Sequence, residues 1–191
     1  LCDWEAYVVF FFKQKTAYEM LPLLSQLCKP SMKKRHWTAI MTITGTTFPI
    51  ESEAFKLDAI LDSNVLEFKE DVEEICEGAD KQLGIELKLK DIKEKWNTAT
   101  FEFVMWKTRD VPTLRGFGLV IEELEDAQLQ LQSMLSMRHV TPFREEVQGK
   151  LSQLSDTADT LEQWVKVQLL RQSLESVFTG GDIAKQMPLE A

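Results

Sequence analysis

Histidine, cysteine, glycine and proline are all scarce in this sequence, and each scarcity excludes a class of protein. Only two histidines occur in 191 residues, His36 and His139, and they stand far apart. The three cysteines, Cys2, Cys28 and Cys76, are an odd number without the short spacings of zinc ligands. They make no disulfide framework, and a reducing compartment suits them. Eight glycines and six prolines are too few for an all-β chain, which needs them at its turns. Positive charge is also in deficit, with 22 basic residues against 31 acidic ones and a net charge of −9. A nucleic-acid footprint needs the opposite, clustered cations that displace phosphate counterions. The most apolar run, Tyr7 to Phe12, is stopped by Lys13 far short of the roughly 20 residues of a membrane span. Asp3 and Glu5 precede it and no small-residue cleavage site follows, so it is not a signal peptide. What remains is a chain that is 44% hydrophobic, enough for a core. An acidic, helix-rich, soluble, intracellular protein is expected.

The stretch 8–20, with its phenylalanines followed by Lys13-Gln14-Lys15-Thr16-Ala17-Tyr18-Glu19-Met20, has no clear apolar period. It resembles a translated sequencing adaptor behind a homopolymer tract, and residues 1–20 are read as a non-native or disordered leader. From Leu21 the pattern turns helical. Pro30, with Trp37, Ile40 and Met41 following, predicts a helix over 30–43 stopped by Gly45. A short helical turn over 56–61 precedes Ser63, a candidate N-cap. Val65, Phe68, Val72, Ile75, Ala79 and Leu83 form one apolar stripe, with carboxylates from Glu67 to Glu77 on the opposite face. Gly84 is the expected stop, and Ile85, Leu89, Ile92 and Trp96 the stripe of a second helix. Between 98 and 107 the period changes to two, with Phe101, Phe103 and Met105 around Glu102, which predicts a strand. A turn at Thr108-Arg109-Asp110 lets Val111 to Arg115 pair back, with Pro112 keeping that strand at an edge. Gly116 and Gly118 release a helix with Leu119, Leu124, Ala127, Leu131 and Leu135 inward. Thr141 is the candidate N-cap of the last long helix and Pro142 its first residue. Its stripe, Val147, Leu151, Leu154, Ala158, Leu161 and Val165, has the regular spacing of helix-on-helix packing. Gly180-Gly181 ends it, and the helix that Asp182 would cap is cut off at Ala191. The expected fold is mainly α: an elongated bundle of long antiparallel helices with one small β-hairpin. The hairpin and the Gly116-Phe117-Gly118 exit are expected to separate two helical bodies, 21–97 and 117–178.

Chemistry is harder to find. Neither the G-x-x-x-x-G-K-[ST] nor the G-x-G-x-x-G phosphate loop occurs, and Gly116-Phe117-Gly118 lacks a third glycine. His36, between Arg35 and Trp37, reads as a partly buried packing or hydrogen-bonding residue. The carboxylates of 67–77 read as a solvated face, and Lys29, Lys33, Lys34 and Arg35 as an ordinary exposed basic cluster. Cys28 and Cys76 read as buried small apolar residues. No catalytic, cofactor-binding or metal-ligating residue is assigned.

Longer strings of residues are more distinctive than any of these sites. Leu21-Pro22-Leu23-Leu24 and Pro30-Ser31-Met32-Lys33-Lys34-Arg35-His36-Trp37 resemble the opening of the linker region of dynein heavy chains. The resemblance continues through Glu73-Glu74-Ile75, Lys95-Trp96, Phe101-Glu102-Phe103 and Gln132-Ser133-Met134-Leu135. It extends through Pro142-Phe143-Arg144-Glu145-Glu146-Val147, Leu161-Glu162-Gln163-Trp164-Val165-Lys166-Val167-Gln168 and Gly180-Gly181-Asp182-Ile183-Ala184-Lys185-Gln186-Met187-Pro188. The last string most resembles axonemal outer-arm heavy chains of the gamma type. One departure stands out: Arg171-Gln172 follow Leu169-Leu170 where the family usually has a tryptophan or another large residue. A buried charge there would be costly, so either residue 171 faces solvent or the sequence carries another error at this point.

The resemblance implies that residues 21–191 are the N-terminal part of a linker domain, truncated at its C-terminus. In this family the linker is a rod of helical bundles over a ring of ATPase modules, and it bends and straightens with nucleotide state. The parent chain is then a minus-end-directed microtubule motor ATPase, while this piece is no enzyme. ATP and Mg would belong to the absent motor ring, and no cofactor to this fragment. The implied partners are the motor ring of the same heavy chain and, through the parent chain, dynein intermediate and light chains and microtubules, with no nucleic acid and no membrane. The implied location is the cytoplasm and cytoskeleton, in the axoneme of a cilium or flagellum. A spectrin-like coiled-coil scaffold is the alternative, but it leaves the hairpin unexplained. A small helical enzyme is a third reading, which the missing constellations disfavour.

Overall fold

The structure, a computed structural model, describes residues 20–50, 57–61, 63–106 and 111–179. Residues 1–19 of the expected leader, with Cys2, lie outside the described residues, as do the 108–110 turn and the 180–191 segment. The chain divides into two compact units between Leu87 and Lys88. The hairpin thus belongs inside the second unit rather than between two bodies, which corrects the expected division.

The first unit contains helix α1 over 20–27, α2 (Lys34–Thr44), the short α3 (Leu57–Leu61), a one-turn 3-10 segment (Asn64–Leu66) and the first part of α4 (Lys69–Thr98). α2 ends as expected at Gly45, whose φ of 67° is left-handed and comfortable only for glycine. It begins four residues later than Pro30. There the chain makes a turn instead, with the Met32 N–H donating to the Lys29 carbonyl at 3.1 Å. The helix starts at the N-cap Lys33, whose backbone N–H donates to His36 Nδ1 at 3.0 Å, one half of a capping box. The core collects Met20, Leu23, Leu27, Trp37, Ile40, Phe48, Ile60, Val65, Val72 and Cys76. Trp37 meets Phe48 edge to face, with ring centroids 6.0 Å apart.

α4 is a single helix of 30 residues, about 45 Å long at 1.5 Å per residue. The expected stop at Gly84 is not used. A glycine costs a helix interior only about 1 kcal/mol relative to alanine, too little to end a helix whose turns on both sides bury side chains. Val72, Cys76 and Ala79 are buried before it, and Ile85, Leu89 and Ile92 after it. The step from Ala79 to Ile85 is six residues rather than seven, so the stripe changes phase there. A phase change looks like two helices in a sequence although the backbone is one.

In the second unit, β1 (Glu102–Met105) pairs antiparallel with β2 (Pro112–Arg115). The register sets Glu102 opposite Arg115, Phe103 opposite Leu114, Val104 opposite Thr113 and Met105 opposite Pro112. Helix α5 (Phe117–Leu135) follows, then a 3-10 segment (Arg138–Phe143) and the 36-residue α6 (Arg144–Thr179). α5 and α6 pack along each other with opposite directions: Gln128 meets Leu154, while Leu114, just before α5, meets Gln168. Val147, Leu154, Leu161 and Val165 are buried as the spacing predicts, while Leu151 and Ala158 of the same expected stripe are half-buried. On α5 the buried stripe is Leu124, Ala127, Leu131 and Met134. Leu119, expected inward, is 70% exposed, because five residues before Leu124 places it on another face. Leu135 is half-buried, its expected place taken by Met134. Pro142 sits inside the 3-10 segment, whose buried Val140 and Phe143 anchor the turn, and α6 starts at Arg144. Arg171 is exposed, so its charge stays in water.

Candidate functional site

Among the described residues, two clusters of polar contacts between sequence-distant residues stand out. The first lies in the first unit, where the segment 29–36 meets α4. Asp80 accepts hydrogen bonds from Lys29 Nζ at 2.7 Å and from the Ser31 hydroxyl at 2.6 Å. Two residues on, Gln82 Oε1 accepts from Arg35 Nε at 2.7 Å and contacts His36 Nε2 at 2.9 Å. The backbone N–H of Lys33 can only donate, so His36 Nδ1 is an acceptor and the ring proton sits on Nε2. His36 is therefore a neutral imidazole using both nitrogens, with 5% of its surface exposed. Burial holds it below the ordinary histidine range. The Gln82 hydrogen bond acts the other way, and the charges of Arg35 and Lys33 add to the lowering. The Lys29 ammonium and the Ser31 hydroxyl hold the Asp80 carboxyl below its usual range, and Asp80 in turn raises Lys29. The cluster fastens the 29–36 segment to α4.

The second place lies in the second unit, where the hairpin meets α6. Gln168 Oε1 accepts the Leu114 N–H at 2.7 Å, and Gln168 Nε2 donates to the Leu114 carbonyl at 3.1 Å. One helical turn earlier, Trp164 lies 5.9 Å from the Phe103 ring. An open groove of about 110 Å³ runs beside these contacts between hairpin and helix. α5 and α6 also take ion pairs from the end of α4, Lys95 to Glu123 at 3.2 Å and Lys93 to Glu146.

The residues singled out in the sequence fall as follows. Cys76 is buried, and burial pushes its thiol up to about 11, which keeps it a neutral thiol at physiological pH. Cys28, expected to be buried, is exposed. It follows Leu27, the last inward residue of α1, and so turns away from the core. His139 is half-buried in the 3-10 segment. Within 67–77 the acidic face is largely exposed, and Glu73 and Glu77 pair with Lys69 and Lys81 one turn away on the same helix. Gly116 is the left-handed N-cap of α5 with φ 68°, a conformational role. Among the described residues, no group of three or more His, Cys, Asp or Glu side chains converges on a point that could hold a metal ion. Among the same residues, no helix is long and apolar enough to cross a membrane. Asp80, Gln82 and Gln168 escaped sequence reasoning. Their only signal was a polar residue beside an apolar stripe, and α4 and α6 carry many of those.

Comparison with known proteins adds a family. The chain matches the family described as dynein heavy chain, N-terminal region 2, over residues 1–191. It is 40% identical over 193 residues to the dynein gamma chain of the flagellar outer arm of Chlamydomonas reinhardtii. It is 39% identical over 193 residues to dynein axonemal heavy chain 8 of Homo sapiens. Both alignments cover 100% of this chain and 4% of the relative. The ciliary dynein beta chain of Tripneustes gratilla is 33% identical over 186 residues, 97% of this chain and 4% of that protein. The chain thus spans about 4% of the length of these relatives.

Proposed function

Since the chain belongs to the dynein heavy chain family through its N-terminal region 2, we propose that it is part of the mechanical linker of an ATP-driven, minus-end-directed microtubule motor. In this reading residues 21–191 transmit the nucleotide-dependent movement of a motor ring in the same heavy chain to the tail. ATP and Mg act in that ring, and the linker segment contributes no catalytic group. Intermediate chains, light chains and microtubules are reached through the rest of the heavy chain. Its place is the axoneme of a cilium or flagellum, since the relatives named above are axonemal, flagellar or ciliary dyneins.

The observation that carries this reading is the α5–α6 pair. A lever must resist bending, and a 36-residue helix seamed to its neighbour at Val147, Leu154, Leu161 and Val165 is braced along about 27 Å of its length. The test is made in an intact axonemal heavy chain carrying Leu161→Asp at the equivalent seam. ATP hydrolysis should persist while microtubule gliding slows severely. Gliding at the unaltered rate, with the seam shown to be loosened by amide exchange, would refute a lever role for this segment.

A further inference from the structure

The β-hairpin meets α6 at the rung formed by Phe103 and Leu114. Phe103 and Leu114 face each other across the two strands. The Trp106 N–H donates to the Val111 carbonyl at 3.1 Å, which marks 106 and 111 as a hydrogen-bonded pair. Antiparallel pairs alternate, so 105–112 is non-bonded, as suits a proline with no N–H, 104–113 is bonded and 103–114 is non-bonded. The N–H and C=O of Leu114 therefore point away from β1. Both are taken by the one side-chain amide of Gln168, which gives the paired donor and acceptor that a third strand would otherwise supply. Trp164, four residues earlier on the same face of α6, touches Phe103. Two residues one turn apart thus grip the two members of a single cross-strand pair.

Beyond that rung Trp106 is half-buried, with its indole nitrogen enclosed. The open groove lies between Trp106, Pro112 and Thr113 on the hairpin and Val167 and Arg171 on α6. In β1 every residue is exposed, and Leu114 is the buried residue of β2. A segment with so few buried contacts opens more readily than the helices beneath it.

We propose that the paired strands β1 and β2 form a strap that opens from α6, and that the Gln168 amide is the latch that sets its docking. The latch is neutral, so its closure is insensitive to salt. That separates it from the Lys93–Glu146 and Lys95–Glu123 ion pairs of the same unit, which salt screens. Opening exposes the Leu114 backbone pair and frees the Phe103 and Trp164 faces without disturbing the α5–α6 seam.

Residue-resolved amide exchange on the full 191-residue chain tests this with two substitutions. Gln168→Met keeps the volume of the side chain and its packing but removes both hydrogen bonds, and Gln168→Ala removes both properties. If the amide is the latch, Leu114 exchanges roughly 10- to 100-fold faster in both variants, as expected for two lost hydrogen bonds. Amides of 147–165 keep their protection. In the unaltered chain Leu114 should also exchange faster than 147–165, by the same factor at low and high salt. The proposal is overturned if Gln168→Met behaves as the unaltered chain, which would assign docking to packing. It is equally overturned if Leu114 and 147–165 accelerate together, or if opening depends on salt.

Discussion

Replacing Leu154 with aspartate tests the seam on which the second unit depends. Leu154 lies midway along the buried stripe of α6 and is 3% exposed. Removing the leucine forfeits about 1.5–3 kcal/mol of apolar burial. Placing a carboxylate there without a partner adds a desolvation cost of several kcal/mol. The sum, about 4–6 kcal/mol, rivals the whole stability of many domains, about 5–15 kcal/mol. Leu154→Ala leaves only the cavity and should cost about 2–5 kcal/mol. Urea titration followed by far-ultraviolet circular dichroism reads both variants. The aspartate variant also has a pH signature. Burial raises the folded-state pKa of the new carboxyl above its unfolded value, so the penalty is full above the folded pKa and fades as pH falls towards the unfolded one. Identical midpoints for the leucine and aspartate chains would show that residues 147–165 are not a seam.

Two further predictions concern the first unit. His36 is held below its ordinary pKa of 6.5, so the unfolded chain binds a proton more readily than the folded one. Stability is therefore full above about pH 6.5 and declines as pH falls towards the lowered value. Replacing His36 with glutamine should remove that part of the decline, and matching slopes for both chains would exclude the imidazole as its source. Cys28 should be alkylated by iodoacetamide in the native chain, whereas Cys76, buried with its thiol at about 11, should react only after denaturant is added. Peptide mass mapping distinguishes the two sites, and prompt native labelling of Cys76 would contradict its burial.

Periodicity reveals what repeats, and the repeating parts of this chain were legible. The α6 stripe, the hairpin with its edge proline, the glycine stop at Gly45 and the buried Cys76 all follow from spacing or residue type. What failed to show was set by interactions between distant residues or by small energies. Gly84 looked like a stop because the apolar phase shifts beside it, yet one glycine does not outweigh two packed turns. The start of α2 depends on the Lys33–His36 capping bond and on the pull of Asp80 on Ser31, partners 49 residues apart. Gln168 is one of many glutamines until the fold brings Leu114, 54 residues away, into its reach. Leu119 shows the converse, an apolar residue that a generous stripe enlisted although its helical angle was wrong.

The Gln168 contact also bears on self-association. A two-stranded sheet has two adhesive edges, and a protein adhesive at both can grow into fibres. Here the outer edge of β2 is occupied at Leu114 by a side chain of the same molecule. The remaining edge, along β1, is four residues long. Two copies that met antiparallel through it would satisfy each other about a two-fold axis and offer no further edge. With Gln168 across Leu114 and Pro112 lacking an N–H, the outer edge of β2 offers little to a further strand while the latch is closed, so pairing through β1 would stop at two copies.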